Sequence, residues 1–173
     1  MLNMMKTYHN TPHQQRGAAA VEFAIIAMLL FTLLFGIIEF GRLFYVFNTV
    51  QEVTRRAARE AVVRWVNEMD SDTEVQNLVL LGGTSWPGGG EITAARINIE
   101  YLTASGGTPA PFPGSAADNI SACLSGPDGC IALVRVSITG ATYAPMVGLF
   151  PFLAVPIPDS TVTMPAESLG YRG

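Results

Sequence analysis

The chain has 173 residues, 49% hydrophobic and only 14% charged, a size that suits one modest domain plus appendages and a composition that leans towards a membrane-associated protein. Lys6 is the single lysine and His9 and His13 are the two histidines; beyond Gly17, eight arginines face 14 acids, a formal net charge of −6. An acidic chain without a basic patch excludes nucleic acid as a partner, because Lys and Arg contacts to phosphate supply most of that affinity.

Residues 18–38 read AAAVEFAIIAMLLFTLLFGII, with Glu22 as the one ionisable side chain. At about 1.5 Å per residue this run spans roughly 31 Å as a helix, matching a hydrocarbon core of ~30 Å. A buried helix of a soluble protein is the alternative, but such helices rarely run so uniformly apolar. Lys6, Arg16 and the amino terminus precede the run with no acid among them, and Glu39 and Arg42 cancel after it. The positive-inside rule therefore keeps the N-terminal side cytoplasmic and puts the bulk of the chain outside the inner membrane. An ordinary secretory signal is cut after its apolar region at a small-x-small site. Here the run leads straight into GIIEFGRLFYVF, and the small residues 17–20 lie before it. Any processing would fall on the cytoplasmic side and leave the apolar helix attached.

Glu22 needs a reason. An ionised acid at mid-bilayer costs roughly 2.5–3.5 kcal/mol, less near the interface, and by default marks a function with a partner. The plain alternative is that Glu22 snorkels to the headgroups, paired with Arg16.

The helical pattern continues. Leu43, Phe47, Val50, Thr54, Ala57 and Ala61 recur at steps of four and three, a heptad-like seam. It packs against the chain's own head, a partner, or both. Arg55, Arg56, Arg59 and Arg64 mix with Glu52, Glu60 and Glu68 elsewhere on the surface, and Glu52 and Arg56 form an i,i+4 pair in the favoured order. No proline occurs between Pro12 and Pro87, so one helix over residues 18–67 is expected, apolar all round in its first half and amphipathic in its second. Gly36 and Gly41 each weaken it by about 1 kcal/mol relative to Ala, and Ala20 and Ala24 allow close approach of another helix in lipid.

After residue 67 the composition changes. Ser71 and Glu74 read as a capping box opening a short helix to Leu81, ended by Gly82 and Gly83. TSWPGGGE reads as a loop. Residues 96–102 (RINIEYL) alternate as a strand with Ile97, Ile99 and Tyr101 on one face, and residues 103–119, rich in Gly, Pro, Ser and Ala, read as a long loop. Residues 133–139 form a second strand with Val134, Val136 and Ile138 inward, and residues 160–164 a third, closed by Pro165. Between them, residues 143–158 are apolar but too Pro-broken for a second span; they cover the sheet or present an apolar contact patch. Cys123 and Cys130 flank the turn sequence LSGPDG and, on the oxidising side of a membrane, read as a disulfide rather than a metal or redox pair. The expected fold is α+β: a long N-terminal helix, membrane-embedded in its first half, with a small antiparallel β-sheet head.

Absences constrain catalysis. With no His or Lys beyond His13, Ser-His-Asp, Cys-His and His-zinc chemistry are excluded outside the membrane. The glycine-rich stretch at residues 83–91 lacks the lysine of a phosphate-binding loop. Asp70 and Asp72 at a helix start are explained as caps and dipole partners, and Asp118, Asp128 and Asp159 sit in turn contexts. No enzyme activity and no cofactor are expected.

Gly17 followed by AAAVEF resembles the type IV prepilin motif, in which a prepilin peptidase cuts after glycine and a glutamate stands fifth in the mature chain. More specifically, residues 16–60 resemble the N-terminal region of TadE-like proteins (the TadE/TadF group), pseudopilins of the Flp/Tad tight-adherence pilus system; the GIIEFGR block at residues 36–42 strengthens the likeness. The small Ala18 departs from the Phe or Met with which many prepilins begin. The resemblance implies a leader at residues 1–17 open to cleavage between Gly17 and Ala18, with Glu22 and Phe23 serving assembly. Cleavage would create an α-amine on Ala18, one helical turn from Glu22, or reachable from Glu22 of a neighbouring helix. The implied organisation is a transmembrane segment at 18–38, an amphipathic continuation at 39–67 and a pilin-like extracytoplasmic head at 68–173. The implied role is a minor pseudopilin or assembly subunit of a type IVb pilus. Its partners would be the prepilin peptidase, other pilins and pseudopilins, the inner-membrane platform and the lipid bilayer. A membrane-anchored periplasmic protein whose head binds a ligand or surface unrelated to pili is the alternative.

Overall fold

A computed structural model of the chain describes residues 13–69 and 71–171. Most of the expected leader, with Lys6 and His9, and Asp70 lie outside the described residues, as do the side chains of Arg16 and Asp72. The chain divides into two units, Met1–Glu39 and Phe40–Gly173.

One helix, α1 (His13–Val62), runs from the first unit into the second over 50 residues. It has the expected length but starts and stops five residues earlier than expected. HQQR are competent helix formers, so nothing in residues 13–16 delays the start. The end is set from far along the chain: the Leu169 N–H donates to the Val62 carbonyl at 3.3 Å, and Gly170 (φ +81°) would bring a Cβ within 3.2 Å of the Trp65 nitrogen. Residues Val66–Met69 then form a single 3-10 turn.

In the second unit, the stripe of α1 from Leu43 to Val62 enters the hydrophobic core. The expected seam residues Val50, Thr54, Ala57 and Ala61 are fully buried, so the head itself covers that seam. Val46, Val53, Ala58 and Val62 are buried too, giving the wider stripe of a globular core helix rather than a strict two-per-heptad seam. Helix α2 (Asp72–Leu78) opens with the expected capping box: Glu74 N–H donates to Ser71 Oγ at 3.2 Å and Ser71 N–H to Glu74 Oε2 at 3.3 Å. It closes three residues short of Leu81, which turns to φ 59° ahead of Gly82 at φ 81°. The expected Glu52–Arg56 pair does not form. Arg56 donates instead to the Leu78 carbonyl at the end of α2, and Arg64 pairs with Glu60 and Glu68 at 3.1 and 3.5 Å.

The stretch read as a loop is a hairpin. Strand β1 (Ser85–Trp86) pairs antiparallel with β2 (Gly89–Thr93) around Pro87-Gly88, a Pro-then-Gly turn with Gly88 at φ 74°. Glycines at positions 88–90 hid the strand, yet Ile92 is fully buried. The main sheet has the order β3-β4-β5, all antiparallel, from β3 (Ile97–Leu102), β4 (Leu133–Ile138) and β5 (Ser160–Pro165). Central β4 turns Val134, Val136 and Ile138 inward, as expected. Between β3 and β4 lies α3 (Ala116–Ser125), whose first turn falls in the stretch read as loop; Ser115 caps it by accepting from Asp118 N–H at 3.1 Å. Asn119 clamps α3 to the sheet: its Oδ1 accepts from Ile131 N–H at 2.7 Å and its Nδ2 donates to Ile131 O at 3.2 Å. Cys123 and Cys130 form a disulfide that ties α3 to the approach to β4.

Residues 143–158 answer both alternatives at once. Tyr143 N–H donates to Val155 O and Ile157 N–H to Ala141 O, so the segment folds back as a loop closed by a short antiparallel contact. Tyr143, Phe150, Leu153 and Ile157 cover the core, whereas Met146, Leu149 and Phe152 are exposed.

Candidate functional site: an exposed apolar helix

In the first unit every large side chain from Val21 to Ile38 is exposed, at successive positions that go all round the helix. Phe23 is 73% exposed and Met28 70%. Phe31 and Phe35, one turn apart, stack at 6.1 Å. Leaving one such side chain in water rather than burying it costs about 1.5–3 kcal/mol. Over this run water is not a tenable surrounding, and lipid or other apolar helices are the surfaces that fit. This helix is the one stretch among the described residues long and apolar enough to cross a membrane.

Gly17 and Ala18 lie inside α1, one turn or more past its start, and a Cβ at Gly17 would meet nothing within 4 Å. Glu22 sits one turn beyond Ala18 on the same face and is exposed; no other described side chain pairs with it. Phe23 is its outward-facing neighbour. The structure thus keeps Gly17, Ala18, Glu22 and Phe23 together on the bare helix. Cys123 and Cys130 belong to the second unit and take no part in this group.

The second unit carries a polar cluster that sequence reasoning missed. Arg42 donates to the Ala144 carbonyl and to Glu91 Oε1, each at 2.7 Å, and its guanidinium lies 4.8 Å from the centre of the Tyr143 ring. Glu91 Oε1 also accepts from Ala144 N–H at 3.1 Å, while Oε2 is buried without a hydrogen bond. Burial works against the charge of Arg42, but its hydrogen bonds to Tyr143 and Glu91 and the attraction of Glu91 outweigh it and raise its pKa above the ordinary value. In the sequence Arg42 seemed only to offset Glu39, and Glu91 lay in an apparent loop; no local pattern joins residues 42, 91 and 143. The unit also holds an open cleft of about 530 Å³ between residues 111–114 and 125–129, walled by Pro111, Phe112, Pro127, Asp118 and Asp128.

Fold and site together define an α+β chain with, among the described residues, one apolar helix long enough to cross a membrane. Residues 17–59, about a quarter of the chain, match the model of the TadE-like protein family, the family the sequence resembles. The match contains Gly17, Ala18, Glu22 and Phe23. Neither the curated proteins nor the solved structures contain a match to the chain.

Proposed function

We propose that this chain is a minor pseudopilin or assembly subunit of a Flp/Tad type IVb pilus system, acting in pilus biogenesis and surface adherence by packing its helix beside others. The observation that carries this reading is the bare apolar helix with one acid a single turn from Ala18, inside the region matched by the TadE-like family. Its helix crosses the inner membrane with the N-terminal side cytoplasmic and the disulfide-bonded head periplasmic or extracellular. A prepilin peptidase cuts between Gly17 and Ala18, and the new amine gives Glu22 its counter-charge within the helix or across to a neighbour. Other pilins and pseudopilins and the inner-membrane platform are the partners.

The test is the intact mass of the membrane-extracted protein with and without the cognate prepilin peptidase. Loss of residues 1–17 only when the peptidase is present is the expected result. An uncut chain in both preparations removes the amine and with it this role for Glu22. The open cleft in the head favours a second reading, a membrane-anchored protein that binds a ligand through that cleft. Under that reading Glu22→Ala leaves pilus assembly unchanged, whereas Phe112→Asp abolishes function.

A further inference from the structure

Contacts inside the second unit order the head along α1. At the C-terminal end, Val62 meets Leu169, just beyond β5. Midway, Phe47, Asn48 and Gln51 share a groove with Ser160 and Thr161, the start of β5. At the N-terminal end, Arg42 binds the Ala144 carbonyl and lies over Tyr143. The chain at 143–155 therefore lies at the end of the unit from which α1 leads, within four residues, back to the apolar run ending at Ile38. From there residues 144–154 form a loop closed by the Tyr143–Val155 hydrogen bond.

This loop has a surface unlike that of a soluble head. Residues 143–158 contain no charged side chain. Met146 is 76% exposed, Leu149 55% and Phe152 68%, while Phe150 and Leu153 anchor the loop from beneath. Phe40 and Phe44, on the same end of the unit, are exposed as well. Arg42, the cation in contact with the loop, is already engaged by Ala144, Glu91 and Tyr143, and Arg96 by the Gly140 carbonyl. Beside it Trp86 Nε1 donates to Tyr45 Oη, which donates to the Pro87 carbonyl. Aromatic rings with polar tips are the side chains that settle at a membrane–water interface.

We infer that the loop bearing Met146, Leu149 and Phe152 inserts into the outer face of the lipid bilayer, so that the head rests on the membrane as a second, shallow anchor. The inference rests on the reading that residues 18–38 span that membrane. It goes beyond that reading because a single span leaves the head free to tilt. Apolar side chains at this level enter the headgroup–acyl boundary, which exposed loops of soluble proteins avoid.

The experiment uses the full chain in phosphatidylcholine–phosphatidylglycerol proteoliposomes, with the photo-reactive p-benzoylphenylalanine placed singly at Phe31, Phe152 or Leu124. Leu124 is 86% exposed and lines a separate shallow pocket with Ala132 and Ala166, at the end of the sheet away from Arg42. After irradiation, lipid adducts are read by peptide mass spectrometry. Adducts at positions 31 and 152 and none at 124 are expected. An adduct at 31 with none at 152 overturns the bilayer contact and leaves the membrane span standing. Cross-linking of position 152 to another protein chain overturns it in favour of a subunit interface. No adduct at 31 removes the span and the inference together. Position 149, carrying the same probe, repeats the test where the Phe152 variant fails to fold.

Discussion

Glu22 is exposed, and the other side chains of residues 18–38 are uncharged, which decides what its removal does. Glu22→Ala takes away a desolvation cost and leaves membrane insertion intact or improved, while pilus assembly falls; unchanged piliation in that strain contradicts the role proposed for the residue. Arg42 behaves in the opposite way. Its charge is compensated by Glu91, whose side chain is 6% exposed, so Arg42→Met strands a buried carboxylate that already has one oxygen without a hydrogen bond. The expected loss is about 2–4 kcal/mol, read from chemical denaturation in detergent micelles, and a second change, Glu91→Gln, restores part of it. Because the guanidinium pKa is raised on folding, the stability from its charge is present throughout the working pH range. It is lost only as pH climbs through that raised value.

Single elements are held by contacts distant in sequence. Helix α3 is short for independent stability and depends on its Ser115 cap, the Asn119 clamp and the disulfide. Asn119→Ala leaves the buried N–H and carbonyl of Ile131 unpaired; the expected cost is about 1–3 kcal/mol, seen as a lower thermal midpoint of the oxidised protein. The disulfide closes a short loop and contributes about 2–3 kcal/mol in the chain-entropy view, so reduction lowers the midpoint further. An Asn119→Ala variant with an unchanged midpoint shows that the cap and disulfide suffice. The second half of α1 draws its stability from tertiary packing of the stripe from Leu43 to Val62 rather than from propensity.

At the scale of the molecule the two units have opposite relations to water. Every buried apolar residue of the core, from Leu43 to Leu169, lies in the second unit. A fragment of residues 40–173 is therefore expected to be soluble and to melt cooperatively in the absence of detergent. The full chain is expected to stay with the membrane pellet after alkaline carbonate extraction. A fragment with no cooperative transition shows that the head needs the apolar run to fold.

The sequence by itself determined the long apolar run with its single acid, the amphipathic stripe beyond it, the capping box at Ser71, the three strands of the main sheet and the cysteine pair. Each is a periodic or local signal, carried by side chains within a turn or a strand of one another. The placement of Glu22 one turn beyond Ala18 was legible for the same reason, since spacing along one helix fixes which residues share a face. Tertiary structure decided the rest. The hairpin at Trp86 was hidden because its glycines give no alternation, and its strand is held by burial of Ile92 and by Tyr45. The end of α1 at Val62 depends on Leu169, more than a hundred residues on. Arg42 found Glu91 and Tyr143 only when the chain folded back on α1, because a buried ion pair needs partners from separate elements and leaves no periodic trace.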